Sequence, residues 1–235
     1  MNKTTLLRSL IGLFSVLITL LSATLTQAQT PPFASVKSIE IDGSGCEAGS
    51  ANALITSDLN FLSVLYDHFA VEIGKGTEKF KSKSAEKKCT INVTVQVPAG
   101  WDFTFDSVDY RGFVQLPNQM TLAYQLISAE VYGGRGIAFD QNLMRGPKNQ
   151  NFVTTVRNKG LLSLLNGVKN QVDQLSNFGL ANCSNQTQDV KIKIKSIIGV
   201  RNLLGELTRP AVRLIVDSTD ASFRQNLKLN WKRCG

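Results

Sequence analysis

Histidine is almost absent from this 235-residue chain, with His68 the only one. That scarcity removes whole classes of chemistry. The four cysteines, Cys46, Cys89, Cys183 and Cys234, stand far apart with no CxxC pair, so neither they nor His68 offer the closely spaced ligands of a zinc site. A Ser-His-Asp triad would have to use His68, which sits in Tyr66-Asp67-His68-Phe69, and the chain has no nucleophile elbow. A catalytic thiol would lack a second candidate base. Gly74-Lys75-Gly76 lacks the four-residue gap and the trailing Lys-Ser/Thr of a phosphate loop. No metal or cofactor is expected. Beyond the N-terminus, no run approaches the roughly 20 apolar residues that a membrane helix needs.

What is present begins with an export signal. Lys3 and Arg8 precede an apolar stretch over Ile11 to Leu21, and Thr26-Gln27-Ala28 offers small residues for a peptidase. Cleavage is expected after Ala28, giving a signal peptide over 1–28, a short leader over 29–35 with Pro31-Pro32, and a single β-rich domain over 36–235. The expected location is secreted or periplasmic, with no stable membrane span after cleavage. Without the signal, 24 basic residues face 18 acidic ones. This moderate excess favours anionic surfaces such as an acidic glycan or cell-envelope polymer. It is too mild and too dispersed for nucleic acid, and solubility alone also accounts for it. Export makes the cysteines disulfide-forming, and four of them allow three pairings.

The dominant pattern has period two. Thr90 to Val97 alternates strictly, as do Ile39 to Asp42, Trp101 to Asp106 and Val190 to Lys195. Leu62, Val64 and Tyr66 share one face of a strand, followed by Phe69, Val71 and Ile73, while Leu227, Leu229 and Trp231 share another near the C-terminus. One wet face per strand marks antiparallel sheets. The expected fold is therefore all-β, a jelly-roll-like antiparallel β-sandwich stapled by two disulfides. Leu161, Leu164, Leu165, Val168, Val172 and Leu175 recur at helical spacing, predicting a short helical insertion over Gly160–Phe178. It would lie in a connector over about 133–179, between lobes of about 36–132 and 180–235. Cys46 and Cys89 bracket strands of the first lobe, and Cys183 and Cys234 bracket those of the second. That arrangement favours sequential pairing.

Three sets of residues invite a functional reading. Lys75, Lys79, Lys81, Lys83, Lys87 and Lys88 form a basic run, read either as a solvated loop or as a finger gripping a polyanion. Asp102, Asp106, Asp109, Glu130, Asp217 and Asp220 are the acids from which a polysaccharide hydrolase could draw two carboxylates, given a facing pair roughly 5–9.5 Å apart. Asn92-Val93-Thr94, Asn182-Cys183-Ser184 and Asn185-Gln186-Thr187 match the glycosylation sequon. The main expectation is a non-enzymatic binding or structural domain for envelope or extracellular polysaccharide. The alternatives are that hydrolase and a protein-interaction module built on Gly160–Phe178.

Four stretches resemble a secreted family, domain of unknown function 4360: Gly43-Ser44-Gly45-Cys46 with Gly49-Ser50; Lys87-Lys88-Cys89 leading to Pro98-Ala99-Gly100-Trp101; Ser107-Val108-Asp109-Tyr110-Arg111-Gly112; and Asp217-Ser218-Thr219-Asp220 with Leu229-Asn230-Trp231-Lys232-Arg233-Cys234. The resemblance implies a small exported β-rich protein with paired cysteines, and carries over no catalytic residue. Within the third stretch, Gly112 would permit a bulge or close approach that Tyr110 and Arg111 brace. The other reading is ligand recognition by exposed Tyr110 and Arg111, with Asp109 orienting the guanidinium.

Overall fold

A computed structural model describes residues 30–132, 137–138, 142–157, 183–204, 210–216 and 224–234. Thirteen strands and no helix occur among them. The first seven are β1 (Ser35–Asp42), β2 (Ala51–Ile55), β3 (Phe61–Tyr66), β4 (Ala70–Ile73), β5 (Ser84–Val97), β6 (Trp101–Leu116) and β7 (Thr121–Val131). Then come β8 (Ile137–Ala138), β9 (Asn142–Arg145), β10 (Lys148–Arg157), β11 (Gln188–Asn202), β12 (Val212–Ile215) and β13 (Arg224–Arg233). The helix expected over 160–178 lies outside the described residues.

The strands form two antiparallel sheets packed face to face. One has six strands in the order β1-β5-β11-β7-β8, with β9 also on β7. The other has seven: β2-β3-β13-β6-β12-β4, with β10 also on β6. The stretches on either side of the connector share both sheets, since β11 lies between β5 and β7, and β13 between β3 and β6.

Alternation along each strand builds the core. Ile91, Val93 and Val95 of β5 and Ile192 and Ile194 of β11 point inward from the six-stranded sheet. They meet Leu62, Val64 and Tyr66 of β3 and the inward side chains of β6 in one buried cluster. Each such apolar side chain contributes roughly 1.5–3 kcal/mol through burial.

Strand β6 changes phase along its length. Lys228 of β13 lies opposite Ser107 and Leu229 opposite Phe105, so Asp106 is an extra residue in β6, a β-bulge. Before it, Phe103 and Phe105 face the core; after it, Val108, Tyr110, Val114 and Leu116 do. Without the extra residue, half of this sixteen-residue strand would turn its apolar set to solvent.

Both expected disulfides are present. Cys46–Cys89 joins the loop after β1 to β5, with Cα atoms 5.4 Å apart. The Gly43-Ser44-Gly45 motif makes this approach possible. Gly43 has φ 142°, and a Cβ there would strike the Lys88 carbonyl; at Gly45 a Cβ would strike the Phe69 ring. Cys183–Cys234 ties the segment before β11 to the end of β13, joining the two sheets at one end of the sandwich. The Gly100 amide donates to the Ser184 carbonyl at 2.7 Å, and the Cys234 amide to the Gly100 carbonyl at 2.8 Å, so the β5–β6 turn is held between them.

Candidate ligand-binding face

The outer face of the six-stranded sheet carries the most distinctive side-chain arrangement. Since β11 buries Val190, Ile192, Ile194 and Ser196, its intervening residues Lys191, Lys193 and Lys195 all point outward. They stand in line, spaced by two strand residues or roughly 6.7 Å. Register places Lys191 beside Thr94, Lys193 between Asn92 and Glu130, and Lys195 between Thr90 and Ser128. None of the three lysines has an ion-pair partner among the described residues. The lane therefore presents three cations flanked by hydroxyl and amide side chains and, beside Lys193, by the exposed carboxylate of Glu130. Tyr132, 56% exposed and just after β7, crosses β11 beside Lys191 and Lys193 and donates to Asn92 Oδ1 of β5 at 3.3 Å.

Further along β11 the face changes character. Tyr124 of β7 reaches across β11 at Gly199, where a Cβ would overlap its ring, and its hydroxyl donates to Glu86 Oε2 of β5 at 2.5 Å. Gly199 thus makes room for an aromatic ring laid across the central strand. The bond to Tyr124 holds the Glu86 carboxyl below its usual range, with Lys88 at 3.1 Å contributing less. Partial burial, followed by the charge and hydrogen bond of Glu86, pushes Tyr124 up to about 12. Tyr124→Phe is expected to raise the Glu86 pKa toward that of an unpaired glutamate, read by carboxyl NMR titration. Because the folded-state pKa is depressed, the stability tied to this bond is present above the unfolded pKa of Glu86. It is lost as pH falls through the folded value. In Tyr124→Phe this acid-side dependence should shrink, whereas a Glu86 titration identical to wild type would show that the bond is not formed.

The residues singled out from sequence are dispersed. Asp109 and Arg111 do come together on the outer face of the seven-stranded sheet, with Arg111 Nη2 3.7 Å from Asp109 Oδ2. Thr155 of β10 donates to Asp109 Oδ1 at 2.6 Å. Tyr110 points the other way and is 0% exposed, inside the core. Gly112 allows close approach, as its braced-strand reading required: a Cβ there would strike the Ile215 carbonyl of β12. Lys75, Lys79, Lys81 and Lys83 lie exposed in the β4–β5 loop, and Lys87 and Lys88 on β5. His68 occupies the exposed β3–β4 turn, its Nδ1 2.6 Å from Asp67 Oδ1.

Asp102, Asp106 and Asp109 are each engaged by their own neighbours. Asp102 is 6% exposed and accepts from the Phe103 amide at 2.7 Å, and Asp106 at the bulge lies 3.6 Å from Lys228 Nζ. Glu130 belongs to the other sheet, and Asp217 and Asp220 lie outside the described residues. Sequence reading placed Lys191, Lys193 and Lys195 on a polar face without recognising a site, although the Lys-x-Lys-x-Lys pattern was visible. Tyr124 gave no signal, because its contact with Gly199 crosses between strands distant in sequence.

The chain matches the family model described as Domain of unknown function (DUF4360) over residues 33–234. It belongs to this family. A relative from Arthroderma benhamiae, described as an uncharacterized secreted protein, is 21% identical over 207 residues, 88% of this chain and 74% of that one. Among solved structures, TmCBM61 in complex with beta-1,4-galactotriose aligns over 83% of this chain and 88% of its own, with 8% identity and a TM-score of 0.25. The DUF4360 match spans every described strand, so the sandwich, both disulfides and the lysine lane all fall within the family domain.

Proposed function

We propose that this DUF4360 protein works outside the cytoplasm as a binding domain for an acidic polysaccharide, gripped along the outer face of β11. Two closed disulfides fit an oxidising compartment, as does its secreted relative. The observation that carries the reading is the line of Lys191, Lys193 and Lys195, none in an ion pair among the described residues, bordered by Thr90, Asn92 and Thr94 on β5 and with Glu130 of β7 beside Lys193 alone. A flexible lysine stem holds its ammonium as a point charge, suiting a polymer whose carboxylates or sulfates recur along an extended chain. The flanking hydroxyls and amides supply hydrogen bonds to sugar hydroxyls without competing for the anions.

Affinity electrophoresis through gels containing polygalacturonate or heparin tests this. Lys191→Gln/Lys193→Gln/Lys195→Gln is expected to weaken retention at least about tenfold at low salt and to flatten its salt dependence. Neutralising Lys75, Lys79 and Lys81 instead should leave retention on the polysaccharide nearly unchanged. Equal retention of the lane variant and the wild type would exclude β11 as the binding surface.

A further inference from the structure

The end of the sandwich opposite the Cys183–Cys234 clamp has a different composition from either sheet face. The registers bring the β4–β5 loop, the β6–β7 turn, the β9–β10 turn and the chain leaving β11 together there. The Asn202 amide donates to the Lys83 carbonyl at 2.8 Å, the Leu203 amide to the Met120 carbonyl at 2.9 Å, and the Gly146 amide to the Thr121 carbonyl at 3.0 Å. Inside the β4–β5 loop, Thr77 Oγ1 donates to the Gly74 carbonyl at 2.9 Å and the Ser82 amide to the Lys79 carbonyl at 3.1 Å. The tip is thus a bonded set of turns, and its outward side chains are displayed by defined backbone.

Those side chains include both large apolar groups and cations. Phe80 is 44% exposed, Met120 37%, Leu203 50% and Leu204 56%. Lys79, Lys81, Lys83, Arg145, Lys148 and Arg201 are exposed on the same turns or the strand ends beside them. Lys81 Nζ lies 5.3 Å from the centre of the Phe80 ring. Among the described residues nearby, Glu72 pairs with Arg213 at 2.8 Å, and Glu86 with Tyr124 and Lys88. Glu78 is the sole acid within the loop 74–83.

We infer that this tip docks on anionic phospholipid bilayers, with Phe80, Met120, Leu203 and Leu204 entering the headgroup–acyl boundary while the cations of the same turns meet the lipid phosphates. Exposed apolar side chains on the same turns as exposed cations match a membrane surface on both counts, for the bilayer supplies apolar depth beneath a negative plane. A polysaccharide offers the charge without the apolar depth. The inference is independent of the β11 lane, which lies on a sheet face.

The test uses the purified, disulfide-bonded protein and vesicles of phosphatidylcholine, alone or with about 30% phosphatidylglycerol to supply the anionic surface. Co-sedimentation is expected with the anionic vesicles and not with the neutral ones. Phe80→Ser/Leu203→Ser/Leu204→Ser and Lys79→Gln/Lys81→Gln/Lys83→Gln should each weaken it at least about tenfold, while the β11 lane variant should bind vesicles like wild type. A Phe80→Trp variant adds a readout that does not depend on lost binding. Its new indole should be quenched by brominated lipid, whereas Trp101 and Trp231, toward the other end of β6 and β13, should not. Four outcomes would each overturn the inference: no binding to anionic vesicles, equal binding to neutral ones, undiminished binding by the serine variant, or no added quenching in Phe80→Trp.

Discussion

Tyr66→Ala is expected to cost about 4 kcal/mol, in line with truncating a large side chain deep in a core. Tyr66 is fully buried and packs 4.7 Å, centre to centre, from Phe69. Its hydroxyl bridges the two sheets, lying 2.5 Å from Ser196 Oγ of β11 and donating to Gln225 Oε1 of β13 at 2.7 Å. Ser196 Oγ donates to the same Gln225 oxygen at 2.7 Å. Burial pushes the phenol far above its ordinary value, so it stays a neutral donor at any pH the protein meets. Alanine would leave both a cavity and a disrupted polar cluster. Tyr66→Phe, which keeps the ring, should cost only about 1–2 kcal/mol, the scale of one buried hydrogen bond. Urea denaturation of both variants measures the difference, and near-equal losses would mean that packing around the ring contributes little.

Removing the Cys183–Cys234 bond by double alanine substitution is expected to cost a similar amount, about 4 kcal/mol in the chain-entropy model. The bond closes a loop with a sequence separation of 51. It also joins strands of different sheets, where the Gly100 turn depends on both neighbours for its hydrogen bonds. The urea midpoint should fall sharply in the double variant, and reducing agent should do the same to the wild type. A midpoint shift equivalent to less than about 1 kcal/mol would show that the sheet contacts hold this end unaided.

How far the sequence could be read depended on the range of the interactions involved. Strands such as Thr90–Val97 and Val190–Lys195 were legible because inward and outward positions alternate with each residue, and their burial follows that alternation. The sequential disulfides were favoured, out of three possible pairings, by the segments that the cysteines bracket, and the structure contains them although those segments share both sheets. Tyr110 was harder to place, since one extra residue at Asp106 reverses the faces of everything after it in β6. A bulge of that kind is specified by the partner strand β13, which is distant in the chain. The ring of Tyr124 over Gly199 was invisible for the same reason.

The sequence by itself determined the class of this molecule: an all-β chain of antiparallel strands with paired cysteines and neither metal nor nucleophile signatures. Those properties reside in residue types and short spacings, which need no partner to be read. Tertiary structure alone decided which polar residues share a surface. It set the three lysines of β11 beside Thr90, Asn92 and Thr94. It turned Tyr110 inward, and it gathered Phe80, Met120, Leu203 and Leu204 onto one tip. Strand register and loop closure bring together residues far apart in the chain, and the energy that fixes them is spread over the whole buried core.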